Sequence, residues 1–262
     1  MKKLSSLLLA LIVTSTLFVF DSCKKGEEDP FFSIQSRKQR VAGEWTINSD
    51  KVLTTYLDQE GVTTKTDFII SGANIDITTE SINSDHDTIV TVGASEDGGE
   101  VLQSKVTFEK DGTFEEILEY RIIDEQVENV TDVWERTTTI TTVTLITLKG
   151  TWNFMGSVEK LWKNKERISV VIESKKTTET ETTVTLNEIN GVEQPLITVN
   201  HKYDDFNDYA NGENAFVYEI KMLKGKEMKL FRDINNKDYY AIDGGAGATV
   251  SEIGSQERIL KQ

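Results

Sequence analysis

Few residues in this chain have the types and spacing that chemistry requires. There is one cysteine and there are two histidines among 262 residues. His86 stands in "SDHDT" and His201 in "VNHKYDD", far apart in sequence, so neither brings a second imidazole to a shared metal. The oxygen-rich segment "YDDFNDYANGEN" (203–214) lacks the D-x-[DN]-x-[DN]-G spacing of a calcium loop and reads as a solvated connection. "DGGAGA" (243–248) opens no helix that would direct amides at a phosphate, and reads as a hairpin loop. H-E-x-x-H, G-x-S-x-G and paired C-x-x-C are all absent. These residues point to a non-enzymatic protein with no cofactor and no metal. Cys23 is the exception. It lies in "LFVFDSCKKGEED" between an apolar run and a charged one, with no second cysteine to pair with.

The segment that positions Cys23 is an export signal in layout. Met1-Lys2-Lys3 precedes an uncharged stretch from Leu4 to Phe20, diluted by serine and threonine and short for a spanning helix. A cleaved signal is the expectation and a retained span the alternative. Phe20-Asp21-Ser22-Cys23 resembles the lipobox of bacterial lipoproteins, which implies cleavage before Cys23 and lipid attachment to it. The following Lys24, Lys25, Glu27, Glu28 and Asp29 resemble the export tag of Bacteroidetes surface lipoproteins. That resemblance implies the outer face of the outer membrane. A plain solvated tether on the periplasmic face is the alternative. Asp87-Thr88-Ile89 resembles the acceptor motif for O-glycosylation in exported Bacteroidetes proteins, with Thr88 as the modified residue. The expected organisation is a signal over 1–22, a flexible tether over 23–36 and one domain over 37–262.

The net charge of −15 becomes more negative still once residues 1–22 are removed, because Lys2 and Lys3 leave with a single aspartate, Asp21. Such a surface repels phosphate backbones and excludes nucleic acid as a partner. Threonine and β-branched residues dominate "TTTITTVTLITL" (137–148) and "TTETETTVTL" (177–186), which favours strands. Period-two alternation places Val106, Phe108, Phe114, Leu118 and Tyr120 on one face, with Glu109, Glu115 and Glu119 opposite. Asp111-Gly112 makes the hairpin between them. The same pattern runs through Phe216, Tyr218, Ile220 and Met222, turns at Gly225, and resumes at Met228 and Leu230. Asn235-Asn236 reads as a further hairpin, and 58–62, 93–99 and 203–214 as loops. One short helix is expected around Phe32 to Val41. A long antiparallel meander must hide its edges, so the expectation is an all-β domain closed into a barrel, with a β-sandwich as the alternative.

Gly43-Glu44-Trp45, the hairpin Thr107 to Phe114, Gly150-Thr151-Trp152 and the Tyr218 to Leu230 hairpin resemble, in this order, the lipocalin-like lipoproteins of Bacteroidetes. The resemblance implies a lipocalin-like barrel plugged by Trp45, with Arg258 as its partner. It further implies a binding module, anchored in the membrane by its N-terminal lipid, that holds a small molecule or glycan. The rival expectation is an accessory subunit that docks on an outer-membrane transport or secretion complex, because long polar Thr/Glu strands suit a partner surface.

Overall fold

The structure is a computed structural model that describes residues 37–58, 62–82, 88–92, 98–131, 134–155, 166–209, 212–240 and 248–262. A five-residue helix, α1 (Arg37–Val41), leads into strands only. These are β1 (Gly43–Leu57), β2 (Thr63–Ser71), β3 (Asn74–Ile82), β4 (Thr88–Val92), β5 (Gly99–Phe108), β6 (Thr113–Thr131) and β7 (Trp134–Met155). There follow β8 (Arg167–Ile189), β9 (Val192–Glu193), β10 (Ile197–Asp208), β11 (Asn214–Lys224), β12 (Glu227–Tyr240) and β13 (Ala248–Lys261). The protein is all-β, and every pairing is antiparallel.

At one end the strands close into a ring in the order β1-β5-β6-β7-β8-β11-β12-β13 and back to β1. Closure there rests on a short ladder, Gly43↔Phe108 to Trp45↔Val106. Towards the other end β1 leaves β5 and takes β2 as neighbour, from Ser49↔Ser71 onward. The β11–β12 ladder stops at Glu219↔Phe231, although β12 continues with β13 as far as Tyr240↔Ala248. The barrel therefore opens upward into two walls. One is formed by β12, β13, β1, β2, β3 and β4, and the other by β6, β7, β8 and β10.

Inward phases of the alternating strands fill the closed end. Trp45, Ile47, Phe108, Phe114, Trp152, Ile168, Ile220, Leu223, Met228, Leu230 and Leu260 are buried there. Phe108 packs edge-on to Trp152 with centroids 5.4 Å apart, and is tilted against Phe114 at 5.5 Å. Two glycines mark where neighbouring backbones approach most closely. A Cβ on Gly150 would lie 1.9 Å from the Val171 carbonyl oxygen, and one on Gly254 the same 1.9 Å from that of Leu53. The Asp111-Gly112 turn forms as expected. Gly112 has φ 100°, and the Thr113 amide donates to Asp111 Oδ1 at 2.9 Å.

Two sequence expectations fail in detail. Asn235-Asn236 makes no hairpin, since β12 runs straight through it in register with β13 (Asn235↔Ile253, Asn236↔Glu252). The side chain of Asn236 donates to Glu252 across the ladder at 2.8 Å, so its polarity serves the sheet and no turn forms. Residues 203–208 are not a loop. They belong to β10, whose polar side chains are tolerated because β8 is its only neighbour among the described strands and its side chains are exposed. The expected alternation of Phe216, Tyr218, Ile220 and Met222 holds, and a bulge between Ile220 and Met222 accompanies the burial of Leu223 beside Met222.

Candidate binding cleft

Where β11 and β12 separate, a cleft of about 850 Å³ opens into the upper barrel. Its lining comes from β11 (Asn214 and Phe216 among others), from β12 (Arg232, Ile234, Asn236), and from Tyr56, Tyr209, Val250 and Glu252. The inward phase of each strand supplies Asn214, Phe216, Arg232, Ile234, Asn236, Val250 and Glu252, as the buried Tyr218, Leu230 and Gln256 on the same phases show.

A polar layer separates this cleft from the apolar base. Asp50 is 2 % exposed and Arg258 6 %, and their ion pair closes at 2.5 Å. Arg258 Nε donates to Asp50 Oδ2 at 3.0 Å, and its Nη1 donates to Glu116 Oε2 at 2.7 Å. Burial opposes the Arg258 charge, but the carboxylates of Asp50 and Glu116 outweigh it and hold its pKa well above the ordinary value. Gln256 links this triad to the cleft. Its amide nitrogen donates to both Asp50 oxygens, at 2.9 and 3.0 Å. That leaves Gln256 Oε1 to accept from Tyr218 Oη at 2.9 Å and from Arg232 Nε at 2.6 Å. Burial pushes the Tyr218 phenol up to about 12.

Arg232 is the cleft's own cation. Its guanidinium carbon lies 4.2 Å from the centre of the Phe216 ring and 5.6 Å from that of Tyr218. Among the described residues no carboxylate pairs with it. Chemically, the cleft offers a fixed guanidinium, aromatic side chains, amides and the carboxylates of Glu213, Asp233 and Glu252.

Trp45 and Arg258, paired by resemblance, both lie inside the barrel. Trp45 is 1 % exposed beneath α1 and donates from Nε1 to the Val41 carbonyl at 2.8 Å. The partners of Arg258 are Asp50, opposite it in the β1–β13 ladder, and Glu116, and the Trp45 ring is not among them. Trp152 of the second Gly-x-Trp is buried too, with its Nε1 donating to the Glu109 carbonyl at 2.8 Å. Thr88 opens β4 opposite Ile82. Cys23, Lys24, Lys25, Glu27, Glu28, Asp29, His86 and Trp162 lie outside the described residues. His201 is exposed on β10 and stacks on Tyr203. In β10, Asp204 and Asp205 point to opposite faces, Asp204 accepting from Thr178 Oγ1 at 2.6 Å. Among the described residues no group of three or more histidine, cysteine or acidic side chains is placed to hold a metal.

Sequence reasoning did not single out Asp50, Glu116, Gln256 or Arg232. The signal was present: Glu116 sits between Phe114 and Leu118, and Arg232 between Leu230 and Ile234, each a charge on the apolar phase of an alternating strand. Comparison with protein-family models, with curated proteins and with solved structures finds no match to this chain.

Proposed function

We propose that the protein is a lipid-anchored, non-enzymatic binding module of the outer membrane that holds a small molecule or glycan in the cleft between β11 and β12. The observation that carries this reading is the cleft itself. About 850 Å³ lies within the range of ligand sites, and its half-open, mainly polar lining sets Tyr56, Tyr209 and Phe216 beside Arg232, asparagine amides and the carboxylates of Glu213, Asp233 and Glu252. The filled base below it supplies the rigid support that such a site requires. The anchor and the cell-surface placement rest on the lipobox and tag resemblances. The lipocalin-like kinship rests on the order of the Gly-x-Trp and hairpin motifs.

A ligand screen on the full chain tests the cleft. Small acids, sugars and oligosaccharides are scored by thermal shift against the parent and against Ile234→Trp, which fills the cleft from β12. Compounds that stabilise the parent and not the variant support the reading. Compounds that stabilise both alike place binding elsewhere. For the anchor, Cys23→Ala is expected to abolish acylation and leave the precursor uncut. A processed, acylated Cys23→Ala product in the membrane fraction would remove Cys23 from that role.

A second reading, an accessory subunit of an outer-membrane transport or secretion complex, is favoured by one observation. The wall β6-β7-β8-β10 ends in a strand exposed along its length apart from Asn207, with Tyr203 and Phe206 more than half accessible. A long open edge of this kind is a template for pairing with another chain.

A further inference from the structure

The charged side chains where the polar layer meets the cleft do not all find partners among themselves. Arg258 satisfies Asp50 and Glu116 directly. Arg232 touches this group only through Gln256, by a single bond from Nε. No acceptor in the described structure takes its Nη1 or Nη2. Its orientation is nevertheless fixed from two sides. Gln256 cannot reverse its amide without losing two bonds to Asp50, so Oε1 must face Arg232 and Tyr218. Phe216 covers one face of the guanidinium. The Nη edge is the edge left for the cleft that Arg232 lines.

We propose that Arg232 is the anion anchor of the cleft, and that the ligand is a small monocarboxylate with a planar apolar body. This rests on the binding-module reading and narrows it to a ligand class. A guanidinium with both Nη groups unengaged matches a carboxylate in two parallel bonds, which a lysine could not reproduce. Arg232 and Arg258 together balance Asp50 and Glu116, so the cleft floor carries no surplus positive charge. Geometry and hydrogen bonding therefore do the selecting, and a single negative charge suits the site better than a double one. Glu252 strengthens that limit. It lines the same cleft four residues from Gln256 along β13, on the order of 13 Å away, and together with Glu213 and Asp233, which also line the cleft, it would repel a second negative group. One of its oxygens accepts from Asn236 at 2.8 Å, and no ion pair joins it to Arg232. Phe216, Tyr56, Ile234 and Val250 provide the apolar walls for the ligand body.

The test uses calorimetry on the full chain with 2-naphthoate and its neutral isostere 2-naphthamide. The parent is expected to bind the carboxylate at least tenfold more tightly than the amide. Arg232→Gln is expected to erase that preference, weakening the carboxylate at least tenfold more than the amide, and Ile234→Trp to weaken both. Should Arg232→Gln not fold, the comparison of the two probes on the parent decides alone. Equal affinity of the two probes for the parent, with both lost in Ile234→Trp, would overturn the anion anchor and leave the cleft as a neutral binding site. If neither probe binds the parent, both the anchor and the cleft reading fall.

Discussion

At the scale of single residues, two side chains carry the clearest consequences for stability. Trp45 fills the closed end, fully buried, and its indole N–H is satisfied by the last residue of α1. Trp45→Ala would leave a cavity that rigid strands cannot collapse around. It is expected to cost about 3–5 kcal/mol, read as a lower urea midpoint by circular dichroism. A midpoint equal to the parent's would show that Trp45 does not brace the base. Tyr218 offers a pH test. Its phenol is neutral in both states below pH 10, so its contribution is complete there. Between about pH 10 and the folded value of about 12, the unfolded chain loses the proton while the folded one keeps it. Stability should fall across that window by about 3 kcal/mol in all. Tyr218→Phe is expected to be less stable than the parent at pH 8, because Gln256 loses a donor, yet to decline less steeply above pH 10. Parallel slopes for the two proteins would refute the assignment.

Among the elements, β7 and β8 span both parts of the molecule. Their ladder runs from Trp134↔Ile189 to Met155↔Arg167, and only its base belongs to the closed ring. Beyond it, β10 replaces β11 as the neighbour of β8 and presents a free outer edge. Val199 and Phe206 on that edge are 43 % and 65 % exposed. Val199→Lys with Phe206→Lys should leave the urea midpoint of the barrel nearly unchanged, within about 0.5 kcal/mol per site. If the accessory-subunit reading holds, the same pair should abolish capture of a membrane complex through a C-terminal tag. Undiminished capture would clear β10 of that role. The sequence made these strands legible because Thr137 to Leu148 and Thr177 to Leu186 combine β-branched residues with alternation. It misled at 203–208 because an edge strand with one neighbour needs no apolar phase, and at Asn235-Asn236 because turn-forming residues also bond across ladders. The cleft was legible only in part. Inward Arg232 and Glu116 interrupt apolar phases visibly, but that β11 and β12 separate above Glu219 and Phe231 is a property of pairing between strands.

For the molecule as a whole, the consequence of this architecture is an uneven distribution of stability along continuous strands. The ring encloses one apolar cluster, and its ladders cannot open singly without exposing Trp45, Phe108 or Trp152. The wall of β6, β7, β8 and β10 above it encloses nothing comparable. Residues 123–131 of β6, 134–142 of β7 and 177–189 of β8 include no buried side chain among those described, and β10 is exposed throughout apart from Asn207. A single sheet layer with both faces wet has hydrogen bonds and cross-strand threonine contacts to hold it, and little burial. Local opening should therefore cost far less there than at the base, even though no break in the chain separates the two. Hydrogen exchange on the full chain is expected to show protection rising along β7 from Trp134 to Trp152 and falling along β8 from Ile168 to Ile189. Peptides of β12 and β13 near Leu230 and Leu260 should be among the slowest. Uniform protection from Trp134 to Met155 would mean that the upper wall is covered by something else, either its own opposite wall or a partner. The cleft between β11 and β12 would then be an enclosed chamber and not an open mouth. A gradient along β7 and β8 would instead leave the base as the rigid floor against which Arg232 is held, with the upper wall free to adjust around whatever enters.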